Sequence, residues 1–133
     1  MTKGHILLVD DDVDSRDAVE RFLTKSGFSV RSSPNGREAL IAVATSVPDA
    51  IILDAMMPEM SGLEFLNVIR SYLRWQTIPI ILLTAFGKGE HIDRAKEFGV
   101  HCVFLKANFR LADLAACIRD LLIDPTAQCS NVG

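Results

Sequence analysis

Four short apolar runs in this chain each end abruptly in a group that can handle charge. Ile6-Leu7-Leu8-Val9 runs into Asp10-Asp11-Asp12, and Ala50-Ile51-Ile52-Leu53 into Asp54. Pro79-Ile80-Ile81-Leu82-Leu83 runs into Thr84, and Cys102-Val103-Phe104-Leu105 into Lys106. Carboxylates gathered in one pocket raise each other's pKa unless a cation is present. A hard divalent ion is their natural partner, and Mg²⁺ binds through one or two carboxylates together with waters and phosphate oxygens. A phosphoryl group is then the expected substrate. A carboxylate can act as its nucleophile to give an aspartyl-phosphate, and such a transfer is promoted mainly by positioning and by neutralising charge on the equatorial oxygens.

This chemistry requires the four run ends to meet, which depends on the elements that carry them. Apolar runs alternating with helical patterns are the signature of a parallel sheet covered by helices. In such sheets ligands bind beyond the carboxyl ends of the strands, where the strand order reverses. The spacing predicts five strands alternating with five helices. The first helix has Ala18, Val19, Phe22 and Leu23 on one face and ends near Gly27, and Asp12 or Asp14 is placed to cap it. Phe28 to Ser32 is a shorter, more polar run that suits an edge strand. Asn35 with Glu38 caps a second helix facing inward through Ala39, Leu40 and Val43, and Ser61 with Glu64 has the spacing of a capping box before Leu63, Leu66 and Ile69. Ile92, Ala95 and Phe98 mark a fourth helix before Gly99. Leu111, Leu114, Ala115, Ile118 and Leu122 mark the fifth. If the first and third strands are neighbours, as in the doubly wound order 2-1-3-4-5, the carboxylates meet.

Composition narrows the function classes. A chain of 133 residues suits one domain. Its 49% hydrophobic and 23% charged residues are those of a globular protein and not of a disordered one. A net charge of −3 without a Lys/Arg cluster argues against nucleic-acid binding. The opening Met1-Thr2-Lys3-Gly4-His5 lacks the pattern of a signal peptide, and the apolar runs fall far short of the roughly 18 residues of a membrane helix. The expectation is a cytoplasmic protein without a membrane span. Cys102, Cys117 and Cys129 are an odd number without metal-type spacing and are expected as reduced thiols. His5, His91 and His101 have no ligand spacing and are read as surface or strand-end residues. Tyr72 and Trp75 are expected to pack at the end of the third helix.

The chain resembles the receiver domain of two-component response regulators, a flavodoxin-like family, over about residues 4–123, with residues 124–133 as a polar C-terminal tail. The resemblance is carried by Ile6 to Asp12, by Asp54-Ala55-Met56-Met57-Pro58-Glu59-Met60-Ser61-Gly62, by Leu83-Thr84-Ala85 and by Lys106. It implies an α/β fold with one doubly wound five-stranded sheet. It implies that Asp54 accepts a phosphoryl group from a sensor histidine kinase or a histidine phosphotransfer protein. Mg²⁺ would be held by Asp10, Asp11, Asp54 and the backbone carbonyl of Met56, with Asp11 direct and Asp10 largely through water. Lys106, the Thr84 hydroxyl and the Ala85 N–H would hold phosphoryl oxygens. The chain is expected to be a stand-alone switch, a monomer or weak dimer signalling by protein contact, and to have no turnover on an external substrate. Two other readings stand beside this one: a pseudo-receiver that switches without phosphate, and a phosphohydrolase using Asp10 and Asp12.

Three features depart from the family pattern. Lys106 is followed by Ala107 and not by Pro, so a trans peptide is expected, because a cis bond there would cost about 3 kcal/mol. Val103 stands where the family usually has an aromatic ring, and alternation along a strand sends Phe104 to the opposite face. Met56 and Phe86, two residues beyond Asp54 and Thr84, are apolar where hydrolytic water would approach, which predicts slow loss of phosphate.

Overall fold

A computed structural model describes residues 4–57 and 60–125. Pro58, Glu59, Cys129 and all but the first two residues of the expected tail lie outside the described residues. The strands are β1 (His5–Val9), β2 (Ser29–Ser33), β3 (Ala50–Asp54), β4 (Ile80–Thr84) and β5 (Cys102–Leu105). They alternate with α1 (Val13–Lys25), α2 (Gly36–Thr45), α3 (Gly62–Ser71), α4 (Glu90–Glu97) and α5 (Leu111–Ile123). All strand pairs are parallel, in the order β2-β1-β3-β4-β5. β2 is an edge strand, as its polar character predicts, and β5 is the other. It begins after Phe28, and β4 begins after Pro79, where a residue without an N–H costs the ladder nothing.

Strand alternation divides the core into two layers. Ile6, Leu8, Ile52, Leu83 and Phe104 pack with Val19 and Leu23 of α1 and Leu114 and Ile118 of α5. Leu7, Val9, Ile51, Leu53, Leu82 and Val103 face the other way, toward Ala39 and Val43 of α2, Phe65 and Ile69 of α3 and Ile92 of α4. The three inner strands β1, β3 and β4, and the edge strand β5, are apolar on both faces because both faces are covered. Phe104 therefore lies on the face opposite Val103, where its ring sits 6.0 Å from that of Phe109.

Helix boundaries follow local side-chain chemistry. Asp12 caps α1 by accepting from Asp14 N, and Asn35 caps α2 by accepting from Glu38 N. Ser61 and Glu64 form the full capping box at α3. Gly27 and Gly99 follow the ends of α1 and α4 at φ +102° and +79°, a backbone region that suits glycine. Tyr72 and Trp75 pack in a tilted arrangement at the end of α3, with ring centroids 4.7 Å apart and planes at 52°. Arg70 donates to the carbonyls of Gln76, Ile78, Phe98 and Gly99, tying α3 to the turns that enter β4 and β5.

Two expectations are corrected. Ala18 is exposed, because the inward stripe of α1 runs through Val19 and Leu23 with Phe22 half-buried at its side. Cys102 and Cys117 are not reduced thiols but disulfide-bonded. Both are buried in the layer between the sheet and α1 and α5, one on β5 and the other on α5, a proximity that spacing along the chain does not reveal.

Candidate functional site

The register of the sheet decides where the charged ends meet. Val9 pairs with Leu53 across β1 and β3, so Asp10 and Asp54 leave the sheet side by side. Asp54 pairs with Leu83, and Ala55 N donates to Leu83 O at 2.9 Å, which sets the loop after β3 against the end of β4. Thr84 pairs with Leu105, and Lys106 N donates to Thr84 O at 2.8 Å. The four run ends thus converge on one edge, at the point where the strand order reverses.

Asp10, Asp54 and Thr84 are buried polar residues there, with 0%, 3% and 0% exposure, while Asp11 is exposed. One carboxylate oxygen from each of Asp10, Asp11 and Asp54 lies within 4.8 Å of the others, a spacing that suits a divalent cation with oxygen ligands. Lys106 Nζ stands 3.2 Å from Asp54 Oδ2 and 3.4 Å from both Asp10 oxygens. The trans peptide after it, expected from the missing proline, is observed: among the described residues no peptide bond is cis. The loop without that proline still delivers Lys106 to the acids.

Backbone contacts hold these side chains in place. Asp10 Oδ1 accepts from Asp12 N at 3.0 Å, and Asp10 O accepts from Arg16 Nη1 at 2.7 Å, which fixes the turn into α1. Asp54 Oδ1 accepts from Met56 N at 3.1 Å. Burial pushes the Asp54 carboxyl up to about 6; the Met56 N–H pulls the other way, the neighbouring Asp10 adds to the rise, and Lys106 offsets part of it. Burial alone would lower the Lys106 pKa, but the two carboxylates outweigh it and the net direction is upward. One ammonium facing a cluster of carboxylates leaves excess negative charge, which is the setting in which added cationic charge is favoured.

Asp10, Asp11, Asp54 and Lys106 are therefore brought together. Met56 touches Asp54 through its N–H, with its side chain 59% exposed. Ala85 is exposed beside Thr84. The Thr84 hydroxyl is engaged locally: Phe86 N donates to Oγ1 at 3.1 Å and Oγ1 donates to Phe86 O at 3.0 Å. His91 Nε2 lies 3.0 Å from the same carbonyl and 3.5 Å from Oγ1. Sequence reasoning placed His91 on the surface and passed over Arg16. Neither has a motif, and each reaches the site only because its helix folds back beside the strand end it follows.

Comparison with known proteins agrees with this geometry. The response regulator receiver domain family matches residues 6–119. The response regulator MprA of Mycolicibacterium vanbaalenii is 38% identical over 117 residues, covering 88% of this chain and 49% of that protein. The response regulator Rre1 of Synechocystis is 37% identical over 119 residues, covering 88% and 51%. The chain thus spans about half the length of these relatives. Among solved structures, chemotaxis protein CheY4 of Vibrio cholerae superposes with a TM-score of 0.83 at 29% identity, covering 90% of this chain and 98% of that one. The signal receiver domain of a histidine kinase from Syntrophus aciditrophicus gives 0.84 at 30% identity, covering 96% of each. Domains of this kind are phosphoacceptors in two-component signalling, bind Mg²⁺ at an acidic pocket and interact with histidine kinases or phosphotransfer proteins. With that match over most of its length, and with the sheet order and the acidic strand ends to go with it, the chain belongs to the response regulator receiver domain family.

Proposed function

We propose that Asp54 accepts a phosphoryl group from a phosphohistidine on a sensor kinase or phosphotransfer protein, and that the domain reports the change by protein contact. One observation carries this reading: a buried Asp54 carboxylate lies beside two further acids, with the Lys106 ammonium 3.2 Å from it and 3.4 Å from Asp10. In the transfer an Asp54 oxygen forms the new O–P bond as the P–N bond of the donor breaks. The electron pair of that bond returns to the donor imidazole, which takes up a proton. Lys106 would turn from the carboxylates to a phosphoryl oxygen, and the Thr84 hydroxyl and the Ala85 N–H would hold another. The three carboxylates fit Mg²⁺ by donor type and spacing, and Asp10, Asp11, Asp54 and the Met56 carbonyl would hold it. When bound, it supplies positive charge against the phosphoryl oxygens.

The test is direct. Incubation with Mg²⁺ and acetyl phosphate should add one phosphoryl mass to the intact protein, and Asp54→Asn should abolish the addition. Persistence of the adduct in that variant would overturn the assignment, and absence of any adduct in the unaltered protein would favour a module that switches without phosphate.

A further inference from the structure

In the resting arrangement the Thr84 hydroxyl is already spoken for. It accepts from Phe86 N at 3.1 Å and donates to Phe86 O at 3.0 Å, closing a small ring two residues wide. For Thr84 to reach a phosphoryl oxygen, as the proposed function requires, that ring has to open. How readily it opens depends on what else holds Phe86.

His91 holds it. The Phe86 side chain is 65% exposed and offers little anchorage of its own. Its carbonyl, however, lies 3.0 Å from His91 Nε2. A carbonyl oxygen can only accept, so Nε2 must carry the proton and donate. The imidazole projects from the first turn of α4, just after Gly89 at φ +118°, and so spans from the helix back to the loop that follows β4. Nε2 also lies 3.5 Å from Thr84 Oγ1, so the side chain that holds the loop carbonyl stands beside the hydroxyl that has to leave it.

We propose that His91 is a positioning residue that latches the loop between β4 and α4 in its resting arrangement and so sets how much of the protein is ready to receive a phosphoryl group. The inference rests on the proposed role of Thr84. A ligand that binds only one of two arrangements has its apparent affinity reduced by the fraction in the competent one, so a latch on the resting arrangement weakens phosphoryl binding, and its removal strengthens it.

The experiment is titration of the full chain with beryllofluoride, a phosphoryl mimic, in the presence of Mg²⁺, followed by fluorine NMR. Loss of one hydrogen bond from the resting state should tighten binding in His91→Ala by about threefold to tenfold. His91→Gln, whose amide N–H stands in for Nε2–H, should stay within about twofold of the unaltered protein. Unchanged or weaker binding in His91→Ala would overturn the latch, as would a Gln variant that behaves like Ala. Failure of the unaltered protein to bind the mimic at all would instead remove the Asp54 reading, and the latch with it.

Discussion

At the scale of single residues, Asp54 is costly to the metal-free fold. Its pKa is raised to about 6 from the ordinary 3.8, so the folded state holds this proton more tightly than the unfolded state does. The favourable contribution is complete below about pH 3.8 and is lost as pH rises through about 6. Asp54→Asn removes this titration and should stabilise the metal-free protein by about 1–3 kcal/mol at pH 7. The gain should shrink toward pH 4, and urea unfolding at the two pH values measures it. Equal effects at both would show that folding does not raise the Asp54 pKa. If Asp54 is phosphorylated as proposed, Met56 and Phe86 would bear on the lifetime of that state. Their side chains are 59% and 65% exposed, so water can come near, but neither offers a group to orient it. Met56→Asn combined with Phe86→Glu should speed loss of the phosphoryl group by about tenfold or more, read from decay of the phosphoprotein mass. An unaltered decay rate would reject their part in it. Residue types at the strand ends made Asp10, Asp11, Asp54 and Lys106 legible in the sequence. His91 was not, because its importance comes from the path of the loop before it and not from its neighbours in the chain.

At the scale of elements, the start of α3 is packed onto the loop that follows Asp54. Gly62 N donates to Ala55 O at 3.2 Å, and a Cβ on Gly62 would sit 2.9 Å from both Ala55 Cα and Asp54 O. Helix propensity alone favours Ala over Gly by about 1 kcal/mol. The clash is with backbone on both counts, so relief requires moving α3 or the Asp54 loop, and overpacking of this kind costs about 1–3 kcal/mol. Gly62→Ala should therefore destabilise the protein in urea and slow its labelling by acetyl phosphate. A variant that is more stable and labels normally would show that the approach of α3 is not constrained. Strands and caps were readable here because their signals are local: alternating or continuous apolar runs, and Ser61 with Glu64 three residues on. The disulfide between Cys102 and Cys117 was not, since it depends on α5 lying against β5, which no spacing rule conveys. Lys106 falls between these cases. Its position at the end of β5 was clear, whereas its delivery to Asp10 and Asp54 without the usual proline needed the loop geometry.

At the scale of the whole molecule, the sheet order concentrates charge at one edge. β1 and β3 are adjacent, so Asp10, Asp11 and Asp54 share one pocket with the ammonium of Lys106. Both faces of the sheet are sealed by helices, and the two apolar layers have no use for these groups. The fold therefore carries a local repulsion that a divalent cation would relieve, and metal binding would then be linked to global stability. A ligand that binds only the folded state stabilises it in proportion to the logarithm of its concentration over its Kd, which amounts to about 1.4 kcal/mol at a tenfold excess. Titration with Mg²⁺ at pH 7 should raise the urea midpoint by a corresponding amount. The rise should fade below about pH 6, where protons compete for the Asp54 carboxylate. Asp11→Asn should abolish most of it. Asp11 is exposed, so that variant leaves the core intact and separates loss of a metal ligand from loss of the fold. A Mg²⁺-dependent rise that survives Asp11→Asn, or that is the same at pH 5 and pH 7, would place the cation elsewhere on the molecule.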